Sequence, residues 1–191
     1  ANQGAIQISG GRIDEINNSI TGIIDGATAI DNFGGATTGV VNNNGSLHGI
    51  NHGILNDYSE ISNIINNGTI SADTGSGHAI QNSSNASIGS IANNAGGVIS
   101  GFNGINNNQS TISTITNSGT ISGDSTNSYG IQNTNNASIG SIANNTGGVI
   151  SGLNGIYNFQ SMIGTIANYG TINSSNDSVL NEGGTIHQIL N

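Results

Sequence analysis

The chain has no cysteine, no proline and no tryptophan, and its only basic residue is Arg12. Without cysteine there are no disulfides, and the redox compartment stays open. A chain with one arginine and no lysine cannot neutralise successive phosphates, which excludes nucleic acid as a partner and removes attraction to anionic membranes. Charge of either sign is scarce: 6% of the 191 residues are charged, for a net charge of −9. No apolar run reaches the ~18–20 residues that span a bilayer, so membrane insertion is not expected. No charged-then-apolar leader opens the sequence, and a secretory leader is expected to have been removed.

What fills the space is isoleucine, asparagine and glycine, with 32, 34 and 31 copies. Regularly placed isoleucine argues against disorder, because a disordered tract lacks the apolar residues that offset chain entropy. Isoleucine is β-branched and favours strands. The placement is a repeat. Residues 80–107, IQNSSNASIGSIANNAGGVISGFNGINN, return at 131–158 as IQNTNNASIGSIANNTGGVISGLNGIYN. Self-similarity at fixed period marks a stacked, quasi-one-dimensional fold.

The 51-residue period divides into two coils, each with three apolar elements. The first element is Ile-x-Asn, ending at Asn32, Asn56, Asn82, Asn107, Asn133, Asn158 and, after Val179, Asn181. The second is Ile-x-x-Ile-x-Asn, ending at Asn66, Asn93, Asn117, Asn144 and Asn168, with Thr37-x-x-Val40-x-Asn42 as a degenerate member. The third is Gly-x-Ile or a relative, at Leu47, Ile70, Ile99, Ile121, Ile150 and Ile172, with Ile20 in a shortened version. Three short strands and three turns in 23–27 residues predict an all-β, three-sided parallel β-helix of about eight coils, one β-solenoid domain over residues 1–191. Rungs about 4.8 Å apart give a rod roughly 40 Å long. Stacked Ile forms the interior, and the recurring Asn, expected where strands end and turns begin, forms hydrogen-bonded ladders. The variable connections at 71–77 and 123–128 are the natural places for a specific surface.

Catalysis and metal binding find little material. Glycoside hydrolysis needs convergent carboxylates, and the ten acids read as isolated surface groups. His48 and His52 form a loose pair near Asp57, short of the three or four fixed ligands of a metal site. No nucleophile motif, phosphate loop or dinucleotide fingerprint appears. A non-enzyme without cofactor or metal is expected.

The motif I-x-N-x-G-T-I-x-G, carried by Ile64-Ile65-Asn66-Asn67-Gly68-Thr69-Ile70 and by Ile115-Thr116-Asn117-Ser118-Gly119-Thr120-Ile121-Ser122-Gly123, resembles the repeats of bacterial autotransporter passengers and related secreted adhesins. The resemblance covers nearly the whole chain. It implies a secreted, cell-surface β-solenoid with a structural or adhesive role, and no catalytic residue set.

The ends suggest a partner. Ile186-x-x-Ile189-x-Asn191 completes a second element with no third behind it, and Gly4-Ala5-Ile6 has the form of a third element. A competing reading places Ile6 in a first element. Head-to-tail stacking would make Gly4, Ala5, Ile6, Ile186, Ile189 and Asn191 an assembly interface and the chain its own partner in surface or matrix fibres. The alternatives are an adhesin segment that binds glycans or host proteins and, less favoured, an ice-binding face built on Thr69, Thr120, Thr171 and Thr185.

Overall fold

The structure is a computed structural model that describes residues 4–73, 75–123 and 127–191. The connections at 71–77 and 123–128 therefore fall partly outside the described residues, as do Asp124 and the lead 1–3. The chain runs through β1 (Gly4–Ser9), β2 (Arg12–Asn18), β3 (Ile23–Phe33), β4 (Thr37–Asn43), β5 (Ser46–Asp57), β6 (Glu60–Asn66) and β7 (Thr69–Ala72). It continues with β8 (His78–Ser83), β9 (Ser87–Asn93), β10 (Val98–Gly101), β11 (Ile105–Asn108), β12 (Thr111–Asn117), β13 (Thr120–Gly123) and β14 (Tyr129–Thr134). The last stretch holds β15 (Ser138–Asn144), β16 (Val149–Gly152), β17 (Asn154–Phe159), β18 (Met162–Asn168), β19 (Thr171–Ser174), β20 (Val179–Glu182) and β21 (Thr185–Leu190).

Every strand pairs in parallel with its counterpart one rung away, as in Ile105↔Ile131 and Ile112↔Ile139. The second elements form an eight-stranded sheet, β2-β4-β6-β9-β12-β15-β18-β21. First and third elements join in a 13-stranded sheet, because β3 and β5 run through both without a break. The result is a β-solenoid of about eight rungs.

Isoleucine columns fill its interior. Ile30, Ile54, Ile80, Ile105, Ile131 and Ile156 in the first elements are fully buried, as are Ile70, Ile99, Ile121 and Ile150 in the third. Each buried Ile is worth about 1.5–3 kcal/mol of transfer free energy, so the stack is held by its own repetition.

The double-coil period has a physical cause at the corner between first and second elements. That corner needs left-handed backbone in every rung, and its length alternates. Tyr58, Gln109 and Gln160 each turn alone at positive φ, whereas Gly34-Gly35, Ser84-Asn85 and Asn135-Asn136 turn as pairs. The longer corners put Ala36, Ala86 and Ala137 over a buried serine of the next rung. Each alanine N–H donates to that serine hydroxyl, Ser59, Ser110 or Ser161, at 3.0–3.1 Å. The alanine N–H of one rung is thus met by its neighbour's side chain, and the repeating unit is a pair.

Three sequence expectations are corrected. The degenerate second element is Thr38-x-x-Val41-x-Asn43, one residue later than expected: Thr38 pairs with Ile13 and Ile61, and Asn43 with Asn18 and Asn66. Asn42 lies opposite Ile65 on the outer surface and donates to Asn17 at 3.2 Å. The opening third element is Ile24, which pairs with Leu47, while Ile20 is 83% exposed in a turn. Finally, Ile6 pairs with Ile30, so Gly4-Ala5-Ile6 belongs to a first element and not to a third.

Candidate functional site

The ladder asparagines sit at the strand ends, as expected, with their side chains turned inward: Asn93, Asn117 and Asn144 close β9, β12 and β15, and Asn82, Asn107 and Asn133 are one residue from the end of β8, β11 and β14. Period-two alternation sends Ile91 and Asn93 inward together, with Ala92 between them facing out. In the first elements Asn32, Asn56, Asn82, Asn107, Asn133, Asn158 and Asn181 are linked in series by bonds of 2.7–2.8 Å. In the second elements Asn18, Asn43, Asn66, Asn93, Asn117, Asn144, Asn168 and Asn191 form a longer series at 2.8–2.9 Å. The first ladder starts one rung later because Ile8 occupies the position below Asn32.

Both inner ladders have a direction. In every step the Nδ2 of one rung donates to the Oδ1 of the next rung toward the C-terminus. The orientation is fixed by second bonds: Asn82 Nδ2 also donates to Thr111 O at 3.0 Å, and Asn117 Nδ2 to Val149 O at 3.0 Å. A main-chain carbonyl only accepts, so the amide cannot be reversed there. Wherever such a stack is cut, one face presents amide acceptors and the other amide donors. An exposed row outside the wall runs the other way, Asn94 donating to Asn67 and Asn67 to Asn44.

The six residues expected at an assembly interface occupy opposite ends of the stack. Gly4 and Ile6 are half-buried and Ala5 exposed on β1; Ile186 is half-buried, while Ile189 is 55% exposed and Asn191 exposed. One chain does not bring the two groups together; only two copies could. At the C-terminal end Ile166, Ile172, Val179 and Ile189 line an open cavity of about 320 Å³. Elsewhere the concavities run from about 260 to 320 Å³ along the corners.

The histidines separate into two settings. His48 lies between Asp25 and Asp73, with Nδ1 2.8 Å from Asp25 and Nε2 3.0 Å from Asp73. His52 stacks on His78 at 5.7 Å and 18°, and His78 touches Phe102 at 5.9 Å. Burial, reinforced by His52, pushes His78 down to about 4, so its ring is neutral. Burial also lowers His52. The pair read from sequence, His48 with His52 near Asp57, does not converge: Asp57 accepts from Ser83 Oγ at 2.9 Å. Among the described residues, no group of three or more His, Cys, Asp or Glu is placed to hold a metal. Arg12 pairs with Asp14 at 2.6 Å with both side chains well exposed, an ion pair of little worth.

On the first-element face Tyr129 stacks on Tyr157 at 4.6 Å and 23°, and Tyr157 on Phe159 at 6.1 Å and 18°. Burial and a 2.8 Å hydrogen bond to Glu182 hold the Tyr157 hydroxyl up at about 12. Tyr129 and Tyr157 are on adjacent rungs, whereas Phe159 lies two residues beyond Tyr157 on the same strand. On the third-element face Thr69, Val98, Thr120, Val149 and Thr171 stack in strict register beside Ser71, Ser100, Ser122, Ser151 and Asn173. That strip of five rungs carries no charge.

Sequence reasoning missed the Asp25–His48–Asp73 group and the corner serines. Their members are 23 to 25 residues apart, and only the rung spacing at each position, if known in advance, would have aligned them. No known family, curated protein or solved structure matches the chain.

Proposed function

We propose that the chain is a non-enzymatic structural rod of the extracellular surface or matrix whose copies stack head to tail into fibres. The supporting observation is the direction of the second-element Asn ladder, which leaves an amide acceptor on Asn18 at one end of the rod and an amide donor on Asn191 at the other. A second copy that lays β1 on β20 and β2 on β21 places Ile13 and Ile16 over Ile186 and Ile189, and the Asn18 amide over that of Asn191. The second ladder then runs on through the junction. The first does not, because Ile8 arrives over Asn181, whose Nδ2 donates to Gly184 O at 3.0 Å. Such a contact is heterologous and does not close on itself, so it propagates. The extracellular setting rests on the likeness of the repeats to those of secreted adhesins.

Size-exclusion chromatography with light scattering tests this reading. The wild type should give a mass that grows with concentration, and Ile186→Asp, which sets a charge on the stacking edge, should run as a monomer. A wild type that stays monomeric over a wide concentration range overturns the reading.

The uncharged Thr/Val and Ser strip favours a second reading, binding of ordered water at an ice surface. Valine matches threonine in shape, so Val98 and Val149 keep the strip flat. Inhibition of ice recrystallisation by the wild type, abolished in Thr120→Lys, is the expected result. The glycan-binding alternative draws least support. Among the described residues, the rings that are uncovered, Tyr58 and Tyr169, stand alone on corners of distant rungs, between β5 and β6 and between β18 and β19, and so form no continuous platform for a sugar chain.

A further inference from the structure

His48 is on β5 with both ring nitrogens against carboxylate oxygens, Asp25 on β3 one rung below and Asp73 just beyond β7 one rung above. A neutral imidazole has a single N–H and cannot donate to both. Two carboxylates at 2.8 and 3.0 Å therefore require the imidazolium, which donates once to each. Among the described residues, no other charged group is placed against the ring. From β3 the register brings Ile23 and Asp25, from β7 Thr69 and Ser71, and its own strand contributes Ser46. The two aspartates are thus its charged neighbours among the described residues, one on each side along the axis.

We propose that Asp25–His48–Asp73 is a proton-operated tie that staples three successive rungs together and opens on one side when His48 loses its proton. The side that opens is Asp73. The bond to Asp25 is the shorter of the two and is the main reason the His48 pKa is raised, ahead of the opposing effect of burial and of the bond to Asp73. The remaining proton stays on Nδ1, and Nε2 then turns a lone pair toward the Asp73 carboxylate. Asp73 is also held by its main-chain N–H, which donates to Gly49 O at 3.0 Å, and that contact stays in place when the tie opens. A chain of net charge −9 with one arginine gains a further unit of negative charge at the same moment.

The sign follows from linkage. The folded pKa of His48 is raised above 6.5, so the stabilisation is fully present below pH 6.5 and is lost as pH rises through the folded value. His78 works in the opposite window, because its folded value is lowered to about 4 and its effect appears only as pH falls below 6.5. The two histidines therefore do not mask one another.

The test is a pH titration of the intact chain followed by long-range ¹H–¹⁵N correlation at the histidine rings. His48 should titrate above 6.5 and, once neutral, should carry its proton on Nδ1 with an unprotonated Nε2. Asp73→Asn should lower the His48 midpoint without unfolding the chain, since Asp73 is a half-exposed surface group. Asp25→Asn should lower it further. A His48 midpoint at or below 6.5 overturns the proposal, as does a midpoint insensitive to Asp73→Asn, or a neutral ring protonated on Nε2.

Discussion

Asn107→Ala should destabilise the chain by about 4 kcal/mol, because it orphans two buried groups at about 1–3 kcal/mol each. Asn107 is fully buried, accepts from Asn82 at 2.8 Å and donates to Asn133 at 2.8 Å. Its Nδ2 also serves Ser110 O at 3.0 Å and Ser138 O at 3.1 Å. Alanine leaves the Asn133 Oδ1 without its donor and the Asn82 amide without its side-chain acceptor, while Ser110 O keeps the Ser138 N–H at 2.9 Å. Asn107→Asp should cost more than alanine, since it keeps the acceptor facing Asn82 but sets an oxygen against the Asn133 oxygen and risks a buried charge. Asn67→Ala, in the exposed row, should stay within about 0.5 kcal/mol. Urea denaturation of the three variants measures the ranking. Equal effects at Asn107 and Asn67 would deny the inner ladder its structural role.

Gly119→Ala should cost about 3 kcal/mol, at the upper end of overpacking penalties. A Cβ there would land on the carbonyl oxygen of Gly97, with Asn94 O at 2.6 Å and Asn93 Nδ2 at 2.8 Å. The obstruction is the rung below, held in place by Thr120 N donating to Gly97 O at 2.9 Å. The same column recurs at Gly45, Gly68 and Gly170, each facing the main chain one rung down. Gly96 is the control. It turns at φ +84° with nothing within 4 Å of a Cβ, so Gly96→Ala meets only the left-handed strain of about 1–2 kcal/mol. Thermal melts of the two variants should separate them, Gly119→Ala melting lower.

These contrasts explain what the sequence made legible. Ile at period two, interrupted by Gly and Asn at steady intervals, identifies the rung and its three elements because side-chain direction follows directly from that period. It fails where neighbours are alike. Val40-Val41 followed by Asn42-Asn43-Asn44 offers adjacent registers of equal quality, and Thr38 in an Ile position removes the one residue that would choose. Ile23-Ile24 beside Ile20 poses the same difficulty. The placement of ladder Asn at the strand ends was legible, because each follows an inward Ile by two residues just before the Gly, Asn and Ser of the corner. What one rung does to the next, such as Ser59 on Ala36 or His48 between Asp25 and Asp73, depends on separations set by corner lengths, and those alternate.

Copies of this rod are proposed to continue one another along its axis. X-ray diffraction from oriented fibres of the purified chain tests this continuation most directly. In the solenoid, strands lie across the axis and rungs repeat along it at about 4.8 Å. Head-to-tail stacking predicts that reflection on the meridian, parallel to the fibre, and its loss in Ile186→Asp together with the fibres themselves. A reflection on the equator would mean that rods associate side by side, and a wild type that forms no fibres would contradict the account outright.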